Sequence, residues 1–278
     1  MNTNITEFPK RGHMQKVRVN GLAVAYERAG SGPALVLLHG FSLDSRSWRP
    51  QLEGLSDSFT VIAWDAPGAG LSQDPPDSFG IGDWADALAS VLDAAGVRQA
   101  HLVGLSWGGL LAQEFSRRYP SRLRSLVLVD TYAGWTGSLT APVAEQRLEA
   151  ALKDSTLAPG DFVRKYLPGM FSDTAADDIR RELGTIMSDV HPIGFRLMAT
   201  ALARADTREF LASINIPTLL IWGDADKRSP LTVGQIMRDA IPGARLEVIR
   251  GAGHLPNLER PNEFNQIVRN FCLSLSAR

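Results

Sequence analysis

Seven consecutive residues constrain this chain more than any others: Val103 Gly104 Leu105 Ser106 Trp107 Gly108 Gly109. Residues 99–105 read as a short buried strand. Beyond the serine, Leu110, Leu111 and Phe115 recur at helical spacing until Tyr119 Pro120, where proline stops the helix. A serine at so sharp a strand-to-helix corner is held in strained backbone geometry, with its hydroxyl pushed into the open. Gly104 and Gly108 remove Cβ atoms where neighbouring backbone must approach. The helix begins beside Ser106, so its N–H groups and positive dipole end favour negative charge developing there.

The rest of the chain repeats the strand-helix alternation. Residues 16–28 read as a hairpin around an Asn20 Gly21 turn, because Asn-Gly readily takes the positive φ angles of a tight turn. Near-continuous apolar runs follow at 34–38 and 59–64, and again at 125–129 and 217–222, the pattern of strands covered on both faces. A last strand is expected at 245–249 and a closing helix from about 261 to 275. Helical patterns fill the intervals, notably 82–95. The fold class that follows is α/β, a mostly parallel sheet flanked by helices. One interval breaks the rhythm: residues 134–212 hold only helical patterns, at 141–153, 160–167, 174–190 and 192–205. They read as a helical cap (lid) inserted above a core made of 16–133 and 213–278, with 1–15 a flexible N-terminal arm. Trp135, Phe162, Met170, Phe171, Met187, Phe195 and Met198 either face a substrate cavity or pack the lid onto the core.

Composition narrows the partners. With 278 residues, 44% hydrophobic and 21% charged, the chain has enough length for one large core carrying an inserted subdomain. Its formal net charge of -1 and the lack of a lysine or arginine cluster argue against nucleic acid, leaving small molecules as the expected partners. The single cysteine, Cys272, has no internal disulfide partner and no metal-ligand spacing around it. It is expected half-buried near the end of the last helix, in a chain suited to a reducing cytoplasm. Residues 1–15 lack the apolar core of a secretion signal, and no apolar run approaches the roughly 20 residues of a membrane span.

A serine hydroxyl is a weak nucleophile and needs a base, which in turn needs an acid to fix its tautomer. Of the five histidines, His254 stands in the loop Gly251 Ala252 Gly253 His254 between the last strand and the closing helix, where an imidazole can swing over the serine. His13 lies in the arm, His101 at the far end of the serine's strand, His191 in the lid. For the acid, Asp224 and Asp226 both follow the 217–222 strand. Asp226 is favoured because its loop has cleared the sheet, whereas Asp224 suits a turn cap. Asp130, at the end of the strand after the serine's helix, is the rival. Backbone donors for an oxyanion are expected from the N–H of Trp107 and of Phe41, the latter in the turn His39 Gly40 Phe41 after the 34–38 strand. His39 is read as structural, holding that turn by a hydrogen bond.

The order Ser106, Asp226, His254, together with His39 Gly40, the turn Asp65 Ala66 Pro67 Gly68 Ala69 Gly70 Leu71 Ser72 and the loop ending at His254, resembles the α/β-hydrolase superfamily. The resemblance runs from about residue 16 to 271. It implies an eight-stranded, mostly parallel sheet with an antiparallel second strand and a cap inserted after the sixth. Relatives commonly carry a large residue where Ala69 stands. Ser106 in place of an elbow aspartate argues against haloalkane dehalogenases and epoxide hydrolases. Leu105 before it is closer to enol-lactonases and small carboxylesterases than to carbon-carbon bond hydrolases, while cofactor-free haloperoxidases share the same triad. The resemblance implies a Ser-His-Asp hydrolase of a small, fairly apolar ester or lactone, needing no metal or other cofactor. A ligand receptor and a cofactor-independent oxygenase are the alternatives of other classes on this fold.

Overall fold

Strands whose side chains are apolar on both faces belong in the middle of a covered sheet, and those at 34–38, 60–64, 100–105 and 218–223 are buried almost throughout. The computed structural model describes residues 13–276. Its strands are β1 (Met14–Val19), β2 (Leu22–Ala29), β3 (Ala34–Leu38), β4 (Thr60–Trp64), β5 (Ala100–Leu105), β6 (Leu123–Val129), β7 (Thr218–Gly223) and β8 (Arg245–Ile249). They form one eight-stranded sheet in the order β1-β2-β4-β3-β5-β6-β7-β8. β2 pairs antiparallel with both β1 and β4, and every other pair is parallel. This is the α/β-hydrolase arrangement, its second strand reversed as expected.

The helices are α1 (Arg49–Leu55), α2 (Ile81–Ala94), α3 (Trp107–Arg118), α4 (Trp135–Ser138), α5 (Ala141–Asp154), α6 (Pro159–Tyr166), α7 (Asp177–Ser188), α8 (Pro192–Arg204), α9 (Arg208–Leu211), α10 (Leu231–Ala240), α11 (Pro256–Glu259) and α12 (Pro261–Ser276). α1 packs on α12 and α2 on α3, covering the sheet. The six helices α4 to α9 all fall between β6 and β7, inside the interval 134–212. The expected helix at 174–190 is shorter, because it starts only at Asp177, whose acidic first turn suits the helix dipole.

Two expectations change. β1 starts at Met14, so Met14 and Gln15 lie in the hairpin rather than in an arm. The long β2 offers them partners, Met14 facing Glu27 and Gln15 facing Tyr26, whose hydroxyl donates to Gln15 Oε1 at 2.6 Å. The rest of that arm, residues 1–12, lies outside the described residues. Cys272 is fully buried, not half-buried, because its face of α12 turns inward; burial pushes its thiol up to about 12.

The inserted helices meet the loops that leave the C-terminal ends of the strands. Where α8 crosses the loop after β4, two glycine backbones touch: a Cβ on Gly194 would stand 1.8 Å from Gly68 O. Phe195, the next residue, stacks on Phe41 with ring centroids 4.8 Å apart, and Trp135 meets Phe41 edge-on at 6.4 Å. The turn after β3 that carries Phe41 is thereby covered by an aromatic layer.

Candidate active site

Ser106 connects β5 to α3 with φ 53 and ψ -114, backbone values that a side-chain-bearing residue adopts only at a cost of about 1–3 kcal/mol. The corner is tight on every side. A Cβ on Gly104 would lie 2.3 Å from Gly108 O, and one on Gly108 would lie 2.3 Å from Leu38 O, so both glycines are required by close backbone approach. Trp107 takes the first position of α3, where no preceding helical carbonyl is available to its N–H.

The turn carrying Phe41 runs alongside, since a Cβ on Gly40 would touch Ser106 Cβ at 3.7 Å. His39 is wholly buried there. Its Nδ1 lies 2.7 Å from Gly40 O, and its Nε2 accepts from Ala66 N at 3.0 Å, tying the loop after β3 to the loop after β4. The structural reading of His39 therefore agrees with its partners. In the neighbouring turn Asp65 accepts from Ser45 N and Leu71 N, both at 2.8 Å, with Ala69 tucked in at 6% exposure.

Asp226 and His254 form a buried pair: Nδ1 of the ring stands 2.7 Å from Oδ2 of the carboxylate. The other oxygen, Oδ1, accepts from Arg228 N at 2.7 Å and Ser229 N at 3.1 Å. Burial alone would raise the Asp226 carboxyl. The facing His254 ring and these N–H donors outweigh burial and hold it below the usual carboxylate range. Asp224 does not cap its own turn but accepts from Gly251 N at 2.6 Å, bracing the His254 loop. A hydrogen-bonded path joins the pair to the serine corner. Thr131 Oγ1 donates to Ser106 O at 2.5 Å, Ser229 Oγ donates to Thr131 O at 2.8 Å, and Ser229 N reaches Asp226.

Asp130 completes the group: among the described residues, Asp130, Asp226 and His254 bring one potential ligand atom each within 4.8 Å of the others. The Asp226 and His254 atoms are already engaged with each other, and Asp226 also with backbone donors, so an ion here would have to displace those bonds. The other histidines lie elsewhere. His191 bonds Asp74 Oδ1 at 2.7 Å and Gly70 O at 3.1 Å, and His101 faces Ser125 Oγ at 2.8 Å.

Several contributors carried no signal in the sequence. Glu259 is buried and accepts from Gly253 N at 2.7 Å and Ser172 N at 3.1 Å, clamping the His254 loop to the inserted helices. Arg147 donates to Tyr132 Oη at 3.0 Å and to Arg228 O at 3.2 Å, while Arg228 reaches Tyr166 O at 2.8 Å. Only the packing of distant segments gives these residues a shared environment.

The chain belongs to the alpha/beta hydrolase family, whose model matches residues 35–267. It is 31% identical over 270 residues to 3-oxoadipate enol-lactonase 1 of Acinetobacter baylyi, covering 96% of each chain. Its fold superposes on a thermophilic esterase from Thermogutta terrifontis with a TM-score of 0.87, at 30% identity, over 95% of this chain and 99% of that one. The enol-lactonase from Burkholderia xenovorans gives a TM-score of 0.81 at 27% identity, over 92% of this chain and 99% of that one. Among the described residues no helix is long and apolar enough to cross a membrane.

Proposed function

We propose that this chain is a serine hydrolase cleaving a small, fairly apolar carboxylic ester or lactone through an acyl-enzyme. One observation carries the reading most: the buried Asp226–His254 pair is tied by hydrogen bonds to a serine held at φ 53 at the head of a helix. Kinship to an enol-lactonase and an esterase supports the same substrate class.

His254 Nε2 takes the Ser106 proton while Asp226 holds Nδ1–H and stabilises the imidazolium. Ser106 Oγ attacks the carbonyl carbon, and the oxygen gains negative charge facing the N–H groups of Phe41 and Trp107. Each such donor is typically worth roughly 3 kcal/mol. Collapse expels the alcohol, or opens the lactone, with the proton returned by His254. Water activated by the same ring then releases the acid and restores Ser106. Residues 134–212 act as the lid, presenting Phe195 and Trp135 to the acyl or ring portion beside Phe41.

Ser106→Ala is expected to lower p-nitrophenyl ester turnover by about five to six orders of magnitude while leaving the melting temperature near that of the wild type. Fluorophosphonate labelling, read by intact mass, is expected to be lost with it. Sustained turnover by the alanine variant would overturn the mechanism.

A further inference from the structure

Among the described residues, three other than glycine adopt positive φ: Asn20 in the hairpin turn, Ser106 at the elbow, and Asp130 at φ 41. The first two have evident reasons. Asp130 stands where β6 ends, its N–H donating to Ile221 O at 3.1 Å, and the bend delivers a wholly buried carboxyl behind Asp226. Oδ1 accepts from Gly223 N at 3.0 Å, but Oδ2 is buried with no donor reaching it. A buried anionic oxygen without a donor costs far more than a neutral one. What faces Asp130 is a second carboxyl: one oxygen of Asp130, one of Asp226 and a ring nitrogen of His254 lie within 4.8 Å of one another. Two carboxyl groups form a hydrogen bond only if one of them supplies a proton.

The surroundings decide which. Asp226 already receives His254 and two backbone N–H groups, all favouring its anion. The Asp130 carboxyl is driven well above the ordinary carboxylate range, first by complete burial and then by the negative charge of Asp226, with Glu259 adding to it and only the Gly223 N–H opposing. Other charged or titratable neighbours of the pair are His254 on the loop after β8, Arg228 beside Asp226, and Tyr132, which receives Arg147.

Resting on the triad reading above, we propose that Asp130 is a neutral carboxylic acid that donates a hydrogen bond to Asp226, a positioning residue that holds the histidine's partner from behind and moderates the negative charge His254 meets.

The direction of a pH shift separates a neutral Asp130 from an ionised one. A donor to Asp226 draws charge from it, so Asp130→Leu, which deletes the donor, is expected to move the acid limb of kcat/KM to higher pH and to lower its plateau about tenfold. Asp130→Asn keeps a neutral donor and is expected to leave the limb in place. Were Asp130 ionised, both variants would move the limb to lower pH; that result, or no movement in either, overturns the proposal. Infrared difference spectroscopy of the folded protein gives a readout independent of turnover. The carbonyl stretch of a protonated carboxylic acid is expected at pH 8 in the wild type and in Ser106→Ala, and to vanish in Asp130→Asn. Its absence from the wild type overturns the proposal, while its presence alongside undiminished turnover by Ser106→Ala would sink the triad reading alone.

Discussion

At the scale of single residues, buried polar groups divide by whether their neighbours favour the charged form. Asp226 is surrounded by donors, whereas His101 is not. The His101 ring is wholly buried with Nε2 lacking a hydrogen-bond partner, and burial, helped by the nearby Arg124, lowers its pKa to about 4. An unfolded chain protonates this ring near the ordinary 6.5, so protons stabilise the unfolded state first. Stability is therefore lost as pH falls from about 6.5, until the native ring also charges near 4, by up to roughly 3 kcal/mol. His101→Gln is expected to flatten the urea-midpoint profile over that window. A profile as steep as the wild type's would show that His101 does not carry the acid sensitivity.

At the scale of elements, the register of α8 on the loop after β4 is set by an absent side chain. A methyl on Gly194 meets the Gly68 carbonyl, backbone that no rotamer change can move, so α8 must shift as a body. Gly194→Ala is expected to cost about 1–3 kcal/mol, lowering the melting temperature by about 3–10 °C. The shift also lifts Phe195 from Phe41, so the ester KM should rise more than kcat falls. An unaltered melting curve would mean that the contact yields without cost. The Ser106 corner uses the same device, with Gly104 and Gly108 admitting backbone where any Cβ would collide.

At the scale of the whole molecule, the reversed edge of the sheet and the side that carries the candidate site hold different kinds of buried polar group. β5 to β8 deliver Ser106, Asp130, Asp226 and the His254 loop from their C-terminal ends. Near the other edge, Glu27 of β2 and Arg49 of α1 form a buried bidentate pair at 2.6 and 2.8 Å. Removing one member strands a buried charge, so Glu27→Gln is expected to destabilise the fold by about 3–5 kcal/mol. The urea midpoint should fall with an unchanged slope, and turnover per folded molecule should be preserved. A loss of specific activity larger than the loss of folded protein would instead couple that edge to the active site.

What the sequence determined by itself was local. The apolar runs set the strands within a residue or two, proline and glycine set their ends, and the serine corner announced itself because strand, turn and helix are all written within about a dozen consecutive residues. His39, Asp226 and His254 were legible for the same reason, each standing next to a recognisable strand end. Tertiary structure alone decided what depends on burial and on pairs distant in the chain. Glu259 looks like any acidic residue in a helix's first turn until Gly253 and Ser172 converge on it. Asp130, the rival of Asp226 in the sequence, meets it beside the His254 ring only once the chain folds. A carboxyl's charge state is set by the desolvation and donors that folding brings to it, and neither is encoded in the residues on either side.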